Sequence, residues 1–372
     1  MSLQKHIPNS QKKNFFFSSL LGGKIDLVLP PSVASANFAS ISLMNGEETV
    51  YHSKDFDWEE LRQRIENDPT LHYHFLPFTN QSLSSSALDS QSWNHFHARH
   101  STGKFFKALM IVGRCCRIDP LNGMKQERRY LLKEFPELDS CGEHSKVLEA
   151  GCGNGSTALP ILRGKENIIV FACDCSTEAL ERATEIIYAS NLVLAKSRFR
   201  PFCCDFSTSP FPKWLICDSC RETSLIKDFD DDKRDLSDII SSSKESECCI
   251  GGVDYVTLIF TLSAVPVDRM PMAISECFSV LKPGGLLFFR DYGLYDMTML
   301  RFEADQRVGF REYKRSDGTR SYFFSLNTAR DLFLAAGFIE VELEYCCVKS
   351  VNRRKQKTMH RVWVHGKFQK PL

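Results

Sequence analysis

The chain has 372 residues, of which 43% are hydrophobic and 25% charged, and its net charge is +1. A chain of this length can bury a large core, as one large domain with an accessory piece or as two domains. No apolar run approaches the roughly 18 residues that a membrane-spanning helix needs, so the composition excludes a transmembrane protein.

Charge is unevenly distributed along the chain. Residues 93–133 hold nine lysines and arginines against two acids, and residues 346–372 hold eight against none. Residues 205–249 hold eleven acids and six bases. Two basic blocks indicate a face for a polyanion such as RNA, and a merely solvated surface is the alternative.

Residues 1–54 are predicted to be a leader. A disordered tail and an organelle-targeting peptide both fit residues 1–44, which contain one acid, four lysines and eight serines. Several of the fifteen cysteines occur in adjacent pairs, which is poor disulfide spacing and indicates a reducing, intracellular compartment. The cytoplasm is expected, and a mitochondrion or plastid is the alternative.

The elements follow in chain order. Residues 55–69 place Trp58, Leu61 and Ile65 at helical spacing and end at a proline, which predicts a short amphipathic helix. From Lys146 onwards β-rich apolar runs alternate with helical runs, which predicts a parallel sheet covered on both faces. The predicted strands are KVLEA, IIVFACD, RFRPFCCD, DYVTLIFTLSAV at 254–265, KPGGLLFFRDYG at 282–293, and two near 340–349 and 361–369. The acidic segment 212–252 is predicted to be a surface loop.

The stretch VLEAGCGNG joins the first predicted strand to a helix. Its glycines, Gly151, Gly153 and Gly155, let backbone N–H groups approach a ligand closely. A dinucleotide fingerprint leaves two residues between its second and third glycines to face a pyrophosphate, whereas only one is left here. Glu149 lies just upstream, where it suits the cation of S-adenosylmethionine (SAM) and would repel a pyrophosphate. The turn therefore favours SAM over NAD.

Polar groups also close the next two predicted strands. Asp174 follows Gly151 by 23 residues, where its carboxylate can accept hydrogen bonds from both ribose hydroxyls. Asp205 and Phe206 end the third strand and are placed for the edge and face of an adenine. Helix capping by the two carboxylates is the alternative. The joint pattern favours an adenosine site.

Four cysteines in the acidic loop, Cys217, Cys220, Cys248 and Cys249, raise the question of a metal. Four thiolates can hold zinc. The adjacent pair lacks the intervening residues that let two sulfurs reach one ion. The sequence therefore predicts no metal site, and zinc is the less favoured alternative.

Longer motifs extend from Trp93 to Leu372. They are FFK at 105–107, EFPEL at 134–138, LEAGCGNG, ACDCS, LIFTLSAV, LKPGG, RDYGLYDMTMLRF at 290–302, DGTRSYFF at 317–324 and VNRRKQKTMHRVW at 351–363. RDYGLYD and DGTRSYFF are far more specific than the glycine turn. Together the motifs resemble the tRNA N3-methylcytidine methyltransferases of the methyltransferase-like group. The resemblance implies a class I SAM-dependent methyltransferase fold, a Rossmann-like seven-stranded, mostly parallel sheet with a small helical N-terminal cap.

The resemblance also implies a division of the chain and a cofactor site. The cap and tRNA-binding region spans 55–139, the methyltransferase domain 140–372, and a substrate-side segment 294–324. SAM contacts are implied for Trp93, Gly151, Asp174, Asp205, Phe206 and Ile259, and the residue pattern adds Glu149, Gly153 and His97. Trp93 and His97 lie four apart on a predicted helix and are expected to cover the cofactor; simple aromatic packing is the alternative.

Methylation at N3 of cytidine is the implied reaction, in the branch that modifies cytidine 32 of the anticodon loop. That nitrogen is unprotonated at neutral pH, so the enzyme mainly aligns it with the methyl group. Asp291 and Tyr292, at the end of the fifth predicted strand, are expected to suit the positively charged product. An ion pair between Asp291 and Arg290, and a core role for Tyr292, are the alternatives.

The expected partner is tRNA, and an aminoacyl-tRNA synthetase or other helper protein is considered as a second. RNA contacts are expected at Phe105, Phe106, Lys107, Arg301, Arg320, Arg353 and Arg354. Residues 108–126 look like an insertion between the FFK and EFPEL motifs. A SAM-dependent protein or small-molecule methyltransferase, and a SAM-fold binding protein with weakened catalysis, are the alternative functions.

Overall fold

A computed structural model describes residues 54–78, 88–100, 130–190, 192, 194–220, 249–352 and 357–372. The FFK motif, the insertion 108–126, Arg353 and Arg354, almost all of the predicted leader and the centre of the acidic loop lie outside these ranges. Within them, none of the helices is long and apolar enough to span a membrane.

The described residues form helices and strands that alternate from Lys146 onwards. The helices are α1 Trp58–Glu66, α2 Leu88–His100, α3 Tyr130–Glu134, α4 Glu137–Ser140, α5 Ala158–Gly164, α6 Thr177–Tyr188, α7 Ala195–Arg198, α8 Met270–Val280 and α9 Leu326–Ala335. The strands are β1 Lys146–Ala150, β2 Ile169–Asp174, β3 Phe199–Cys203, β4 Val253–Ile259, β5 Leu281–Tyr292, β6 Arg307–Gly309, β7 Glu312–Lys314, β8 Arg320–Tyr322, β9 Ile339–Asn352 and β10 Lys357–Gln369.

Seven strands form one sheet in the order β3-β2-β1-β4-β5-β10-β9. The first five pair in parallel, and β10 pairs antiparallel with both β5 and β9. The predicted seven-stranded, mostly parallel sheet is confirmed. The strand order reverses between β1 and β4, and in open sheets of this kind ligands bind at such a switch point, outside the carboxyl ends of the strands.

Both faces of the sheet are buried, as the apolar strand runs predict. Leu148 and Phe171 belong to one core cluster, whereas Val147 and Val170, their neighbours in sequence, belong to the other. Because successive side chains of a strand point to opposite faces, the two clusters lie on opposite sides of the sheet. Residues of α8 and α9 complete the first cluster, and residues of α5 and α6 complete the second.

Two features differ from the sequence prediction, and the predicted first helix is confirmed with narrower bounds. The strand predicted at 254–265 ends at Ile259, because Phe260 adopts a left-handed φ of 55° and the chain turns into a 3-10 helix at Leu262–Ala264. The substrate-side segment contains a small antiparallel sheet, β6-β7-β8. The predicted first helix begins after Asp57, whose carboxylate accepts a hydrogen bond from the N–H of Glu60, and a 3-10 helix at Pro69–His74 follows it.

Candidate cofactor and substrate site

The glycine turn between β1 and α5 is held against β2 by backbone hydrogen bonds. Gly151 and Cys152 both donate to the carbonyl oxygen of Cys173 at 2.8 Å. Gly151 has a φ of +74°, and a Cβ at this position would lie 2.1 Å from a side-chain carbon of Thr261. A side chain is therefore excluded at Gly151 on conformational and steric grounds, and Thr261 from the end of β4 closes over the turn.

Asp174 ends β2 and fixes the middle of the same turn. One carboxylate oxygen accepts the N–H of Gly153 at 2.8 Å, and the other accepts the N–H of Ser176 at 3.0 Å. The cap of α6 is Ser176, whose hydroxyl accepts from the N–H of Ala179, so the helix-capping alternative for Asp174 is wrong. Two carboxylate oxygens offer about four acceptor sites, so this buried carboxylate retains acceptor capacity for ribose hydroxyls.

Asp205 and Phe206 lie beyond the end of the neighbouring strand. Asp174 is paired in register with Cys203, which brings the two predicted adenosine acids to adjacent positions on one sheet edge. The Asp205 carboxylate accepts from the N–H and the hydroxyl of Ser207, at 3.2 and 2.6 Å, in a tight local turn. Phe206 is buried and stacks on Phe211, with ring centroids 5.3 Å apart.

Glu149 and Ile259 occupy the two strands beside the switch point. Glu149 is buried in β1, in register with Ala172 of β2 and Thr257 of β4. Ile259 is the last residue of β4 and is buried as well. The Glu149 side chain therefore lies buried in the sheet, next to the glycine turn.

Helix α2 lies over the glycine turn. The His97 ring is 3.8 Å from the point where a Cβ of Gly153 would lie, so a side chain at Gly153 would meet the helix. The rings of Trp93 and His97 have centroids 6.0 Å apart, which confirms that the two share a helix face. On the same helix, Ser92 lies 2.6 Å from where a Cβ of Gly318 would be. Helix α2 thus contacts both the glycine turn and the substrate-side segment.

A short turn connects the glycine turn to Asp291. The hydroxyl of Thr261 donates to the carbonyl oxygen of Gly151 at 3.3 Å, and the N–H of Ser263 donates to the Asp291 carboxylate at 2.8 Å. The other Asp291 oxygen accepts the N–H of Tyr292 at 2.8 Å, and the residue is fully buried. Residues 261–263 therefore join the predicted cofactor residues to the predicted catalytic pair.

Tyr292, at the end of β5, is buried in a hydrophobic cluster, as the core alternative for this residue expects, and the Arg361 guanidinium lies 6.0 Å from its ring centroid. Its ring lies 5.2 Å from that of Phe260 and 5.7 Å from that of Phe323, measured between centroids. Burial raises the pKa of Tyr292, so its phenol is neutral at physiological pH. A neutral, electron-rich ring attracts a cation placed on its face.

Next to this strand end is a set of charged side chains, four of them buried and two partly exposed, that the sequence reasoning did not assign. We call Glu134, Arg290, His365, Glu342, Lys367 and Glu137 the Glu134 network. Glu134 contacts the Arg290 guanidinium and accepts from Nδ1 of His365 at 3.0 Å, and all three side chains are almost inaccessible to solvent. Arg290 also lies 4.5 Å from the ring centroid of Trp363. A histidine inside the apolar run VWVHGKF was the sequence signal for such a network.

A second buried pair, also missed, holds the turn after β5. One carboxylate oxygen of Asp296 accepts from Nε of Arg361 at 2.8 Å and from the N–H of Val362 at 2.9 Å. The other accepts from the N–H of Thr298 at 2.8 Å, and the aspartate is fully buried. Asp296 and Arg361 lie in two of the specific motifs, RDYGLYD and MHRVW, which was the available signal.

The two described residues among the predicted RNA contacts have different surroundings. Arg301 is exposed at the end of the 3-10 helix Met299–Arg301. The Arg320 guanidinium donates to Glu312 at 3.0 Å, and its side chain is 12% exposed. Arg320 is therefore already neutralised by a carboxylate. The other predicted contacts, Phe105, Phe106, Lys107, Arg353 and Arg354, lie outside the described residues.

Comparison with known proteins also indicates a methyltransferase. A family model described as a methyltransferase domain matches residues 124–343. The tRNA N(3)-cytidine methyltransferase METTL6 of Homo sapiens is 34% identical over 316 residues, which cover 84% of this chain and 89% of the relative. This chain belongs to the tRNA N(3)-cytidine methyltransferase family. A second member, METTL2 of Mus musculus, is 35% identical over 242 residues, covering 64% of this chain and 52% of the relative.

Among solved structures, a SAM-dependent methyltransferase from Anabaena variabilis is similar, with a TM-score of 0.47 and 10% sequence identity. The match covers 79% of this chain and 100% of that one. The predicted class I SAM-dependent methyltransferase fold, a seven-stranded, mostly parallel sheet, is confirmed for this chain.

S-adenosylmethionine is the cofactor of this methyltransferase family, and the residues present fit it. Residues 149–157 contain one acid and no lysine or arginine, as suits a cationic ligand without phosphate. Asp174 offers carboxylate acceptors at the position where an adenosine ribose requires them. Asp205 and Phe206 follow the end of the neighbouring strand, two and three residues after Cys203, which is in register with Asp174. The individual contacts of Trp93, His97, Glu149, Gly151, Gly153, Asp174, Asp205, Phe206 and Ile259 with SAM stay predictions.

Proposed function

We propose that this chain transfers the methyl group of SAM to N3 of a cytidine in tRNA. The observation that carries the proposal is the connection through residues 261–263. It joins a glycine turn suited to SAM directly to Asp291 and Tyr292, in a chain of the tRNA N(3)-cytidine methyltransferase family. We further propose that the methylated base is cytidine 32 of the anticodon loop, because the motif VNRRKQKTMHRVW at 351–363 resembles the branch of the family that modifies that position.

The chemistry requires alignment more than proton transfer. SAM supplies an electrophilic methyl group, and the N3 lone pair is available at neutral pH, so no general base is needed. The protein orients the base and favours the positive charge that develops on it. We assign that electrostatic role to the Asp291 carboxylate, which lies buried behind the site, and to the ring of Tyr292.

Binding of tRNA is assigned to basic groups outside the methyl-transfer centre. Arg301 is the exposed described candidate. Arg320 would have to leave Glu312 to bind a phosphate, and its role stays a weaker proposal. Phe105, Phe106 and Lys107 would receive the extruded base, and Arg353 and Arg354 the backbone. An aminoacyl-tRNA synthetase is proposed as a helper, and the cytoplasm as the site of action.

The test is incubation of the full chain with methyl-labelled SAM and total tRNA, followed by digestion to nucleosides. Label in 3-methylcytidine supports the proposal. A matched reaction with Asp291→Asn, which keeps the size of the side chain, is expected to lose at least tenfold in rate, since a fixed charge near the reacting atoms contributes roughly 2 kcal/mol or more.

Two other functions are outcomes of the same experiment. Label in added protein or in small molecules would overturn the tRNA proposal. SAM binding without any label would indicate a binding protein with weakened catalysis. Deleting residues 108–126 is expected to keep or raise activity on tRNA, and total loss of activity on deletion would show that the insertion takes part in catalysis or folding.

A further inference from the structure

Three cysteine thiols meet at the base of the acidic loop, away from the methyl-transfer centre. Sγ of Cys220 lies 3.4 Å from Sγ of Cys217 and 3.4 Å from Sγ of Cys249. All three sulfurs lie within 4.8 Å of one another, and all three residues are half-buried. Cys248, the fourth cysteine of the loop, lies outside the described residues. The sequence argument against zinc concerned the adjacent pair, and it does not apply to these three positions.

The spacing of the sulfurs is that of a metal site. A tetrahedral zinc ion binds thiolates at about 2.3 Å, which separates the sulfurs by about 3.8 Å. Two observed separations, both 3.4 Å, are close to that value, and the third pair lies within 4.8 Å. A disulfide bond has its sulfurs about 2.05 Å apart and would use only two of the three thiols. The Cys-x-x-Cys spacing of Cys217 and Cys220 is itself a common zinc-ligand spacing.

Backbone hydrogen bonds bring these cysteines together. Ile250 donates to the carbonyl oxygen of Trp214, and Gly252 donates to that of Leu215, both at 2.8 Å. These two hydrogen bonds join the segment just before β4 to the segment that follows β3. They thereby bring Cys249 close to Cys217 and Cys220. Leu215 is fully buried, and the centroid of the Trp214 ring lies 5.1 Å from that of Phe202. Both contacts attach this hydrogen-bonded segment to the core.

A backbone N–H also faces one of the sulfurs. Gly251 donates to Sγ of Cys249 at 3.4 Å. Such a hydrogen bond orients a thiolate ligand and stabilises its negative charge, as the outer shell of a metal site does. The cluster thus has the ligand type, the separation and an outer-shell donor of a zinc centre.

We propose that Cys217, Cys220 and Cys249 bind one Zn²⁺ ion as thiolates. Each thiol releases its proton as its sulfur bonds to the metal, so three protons leave for each ion bound and no oxidation occurs. The ion links the two ends of the loop between β3 and β4. It also stabilises the position of the segment that contains Phe211, whose ring stacks on Phe206, the residue predicted to contact adenine.

The test compares zinc content in the full-length protein, made without a metal-binding tag, with Cys220→Ser and with Cys203→Ser. Cys203 is an exposed thiol at the end of β3 and serves as the matched control. About one zinc ion per chain is expected for the unmodified protein and the control, and almost none for Cys220→Ser. Absence of zinc after incubation with equimolar ZnCl₂, or equal zinc in Cys220→Ser, would overturn the proposal.

A second measurement does not depend on the folding of the variant. Cobalt(II) added to the unmodified protein is expected to give a thiolate-to-cobalt charge-transfer band that zinc abolishes by competition. Lack of this band counts against the site. A disulfide between any two of the three cysteines, detected by alkylating the denatured protein without reduction, also counts against the site. Both measurements are made without tRNA or SAM, so the zinc proposal and the proposed methylation stand or fall separately.

Discussion

The cofactor edge and the substrate side of this molecule are assembled in different ways. The cofactor edge, comprising the turn 151–155, Asp174 and residues 205–206, is held mainly by contacts between segments close in the chain, such as Gly153 to Asp174 at a separation of 21 residues, although Thr261 also reaches Gly151 across 110. The other region, which comprises residues 294–324 and the Glu134 network and is called the substrate side below, joins more distant parts of the chain: Tyr295 donates to Glu66 across 229 residues, and His365 contacts Glu134 across 231. Motifs close together in the sequence therefore account for most of the first region, and polar contacts across the chain hold the second.

The largest effect is expected where the substrate side depends on buried charge. Glu134→Ala removes the carboxylate that contacts the Arg290 guanidinium and one of the two carboxylates that contact His365, among side chains almost inaccessible to solvent. Removing one partner of a buried ion pair costs about 3–5 kcal/mol. We expect a loss of this size in the free energy of unfolding, measured by chemical denaturation.

The control for this variant is an exposed ion pair of the cofactor half. Arg182 and Glu185 lie 2.7 Å apart on α6, with side chains 50% and 66% exposed. Arg182→Gln is expected to change stability by less than about 1 kcal/mol. Equal effects of Glu134→Ala and Arg182→Gln would refute the claim that buried charge holds the substrate side together.

The same difference explains what could be predicted from sequence. The seven strands of the main sheet and the glycine turn could be predicted because each shows as a pattern among neighbouring residues, although β3 and β4 end earlier than predicted. The roles of Asp174 and Asp205 stay predictions. The pairings of Asp296 with Arg361 and of Glu134 with His365 were missed, since a pairing across 65 or 231 residues leaves no local pattern. The early end of β4 was missed because Phe260 adopts φ of 55°, which a β-rich aromatic run does not predict.

On the cofactor edge, the next largest effect is expected for Asp174→Asn. The variant keeps the size of the side chain but removes the charge that accepts from Gly153. Hydrogen bonds to a charged group contribute about 1.5–3 kcal/mol, so the dissociation constant for SAM should rise roughly 10- to 100-fold in calorimetry. Asp268→Asn, an exposed aspartate ahead of α8, is the matched control and should leave SAM affinity unchanged. Unchanged affinity in Asp174→Asn would remove this residue from the cofactor site.

A smaller effect, confined to RNA, is expected for Arg301→Ala. This exposed arginine of the substrate side is assigned to a phosphate, so its loss should weaken tRNA binding a few-fold for all sequences alike. The slope of log affinity against log salt should fall by about one. Arg182→Ala, equally exposed on the cofactor half, should change neither quantity. A loss of SAM affinity in Arg301→Ala would place this arginine at the cofactor edge instead.

The smallest expected effect is a pH dependence of the substrate side. Burial opposes the charging of His365, but Glu134 and Glu342 outweigh it and raise the pKa of His365 above its ordinary value of about 6.5. Arg290 and His365 outweigh burial at Glu134 and lower its pKa, so this carboxylate is ionised throughout the neutral range. A raised histidine pKa gives stability that is fully present below about pH 6.5 and is lost as the pH rises through the folded-state value.

His365→Asn isolates this contribution. The difference in unfolding free energy between the unmodified protein and the variant should be largest near pH 6 and should shrink steadily towards pH 9, because only the unmodified protein loses a proton from the Glu134 network in that range. SAM affinity, which depends on the cofactor edge, should not follow the same curve. A stability difference that stays constant, or grows, as the pH rises would mean that His365 is neutral in the folded protein and acts only through packing.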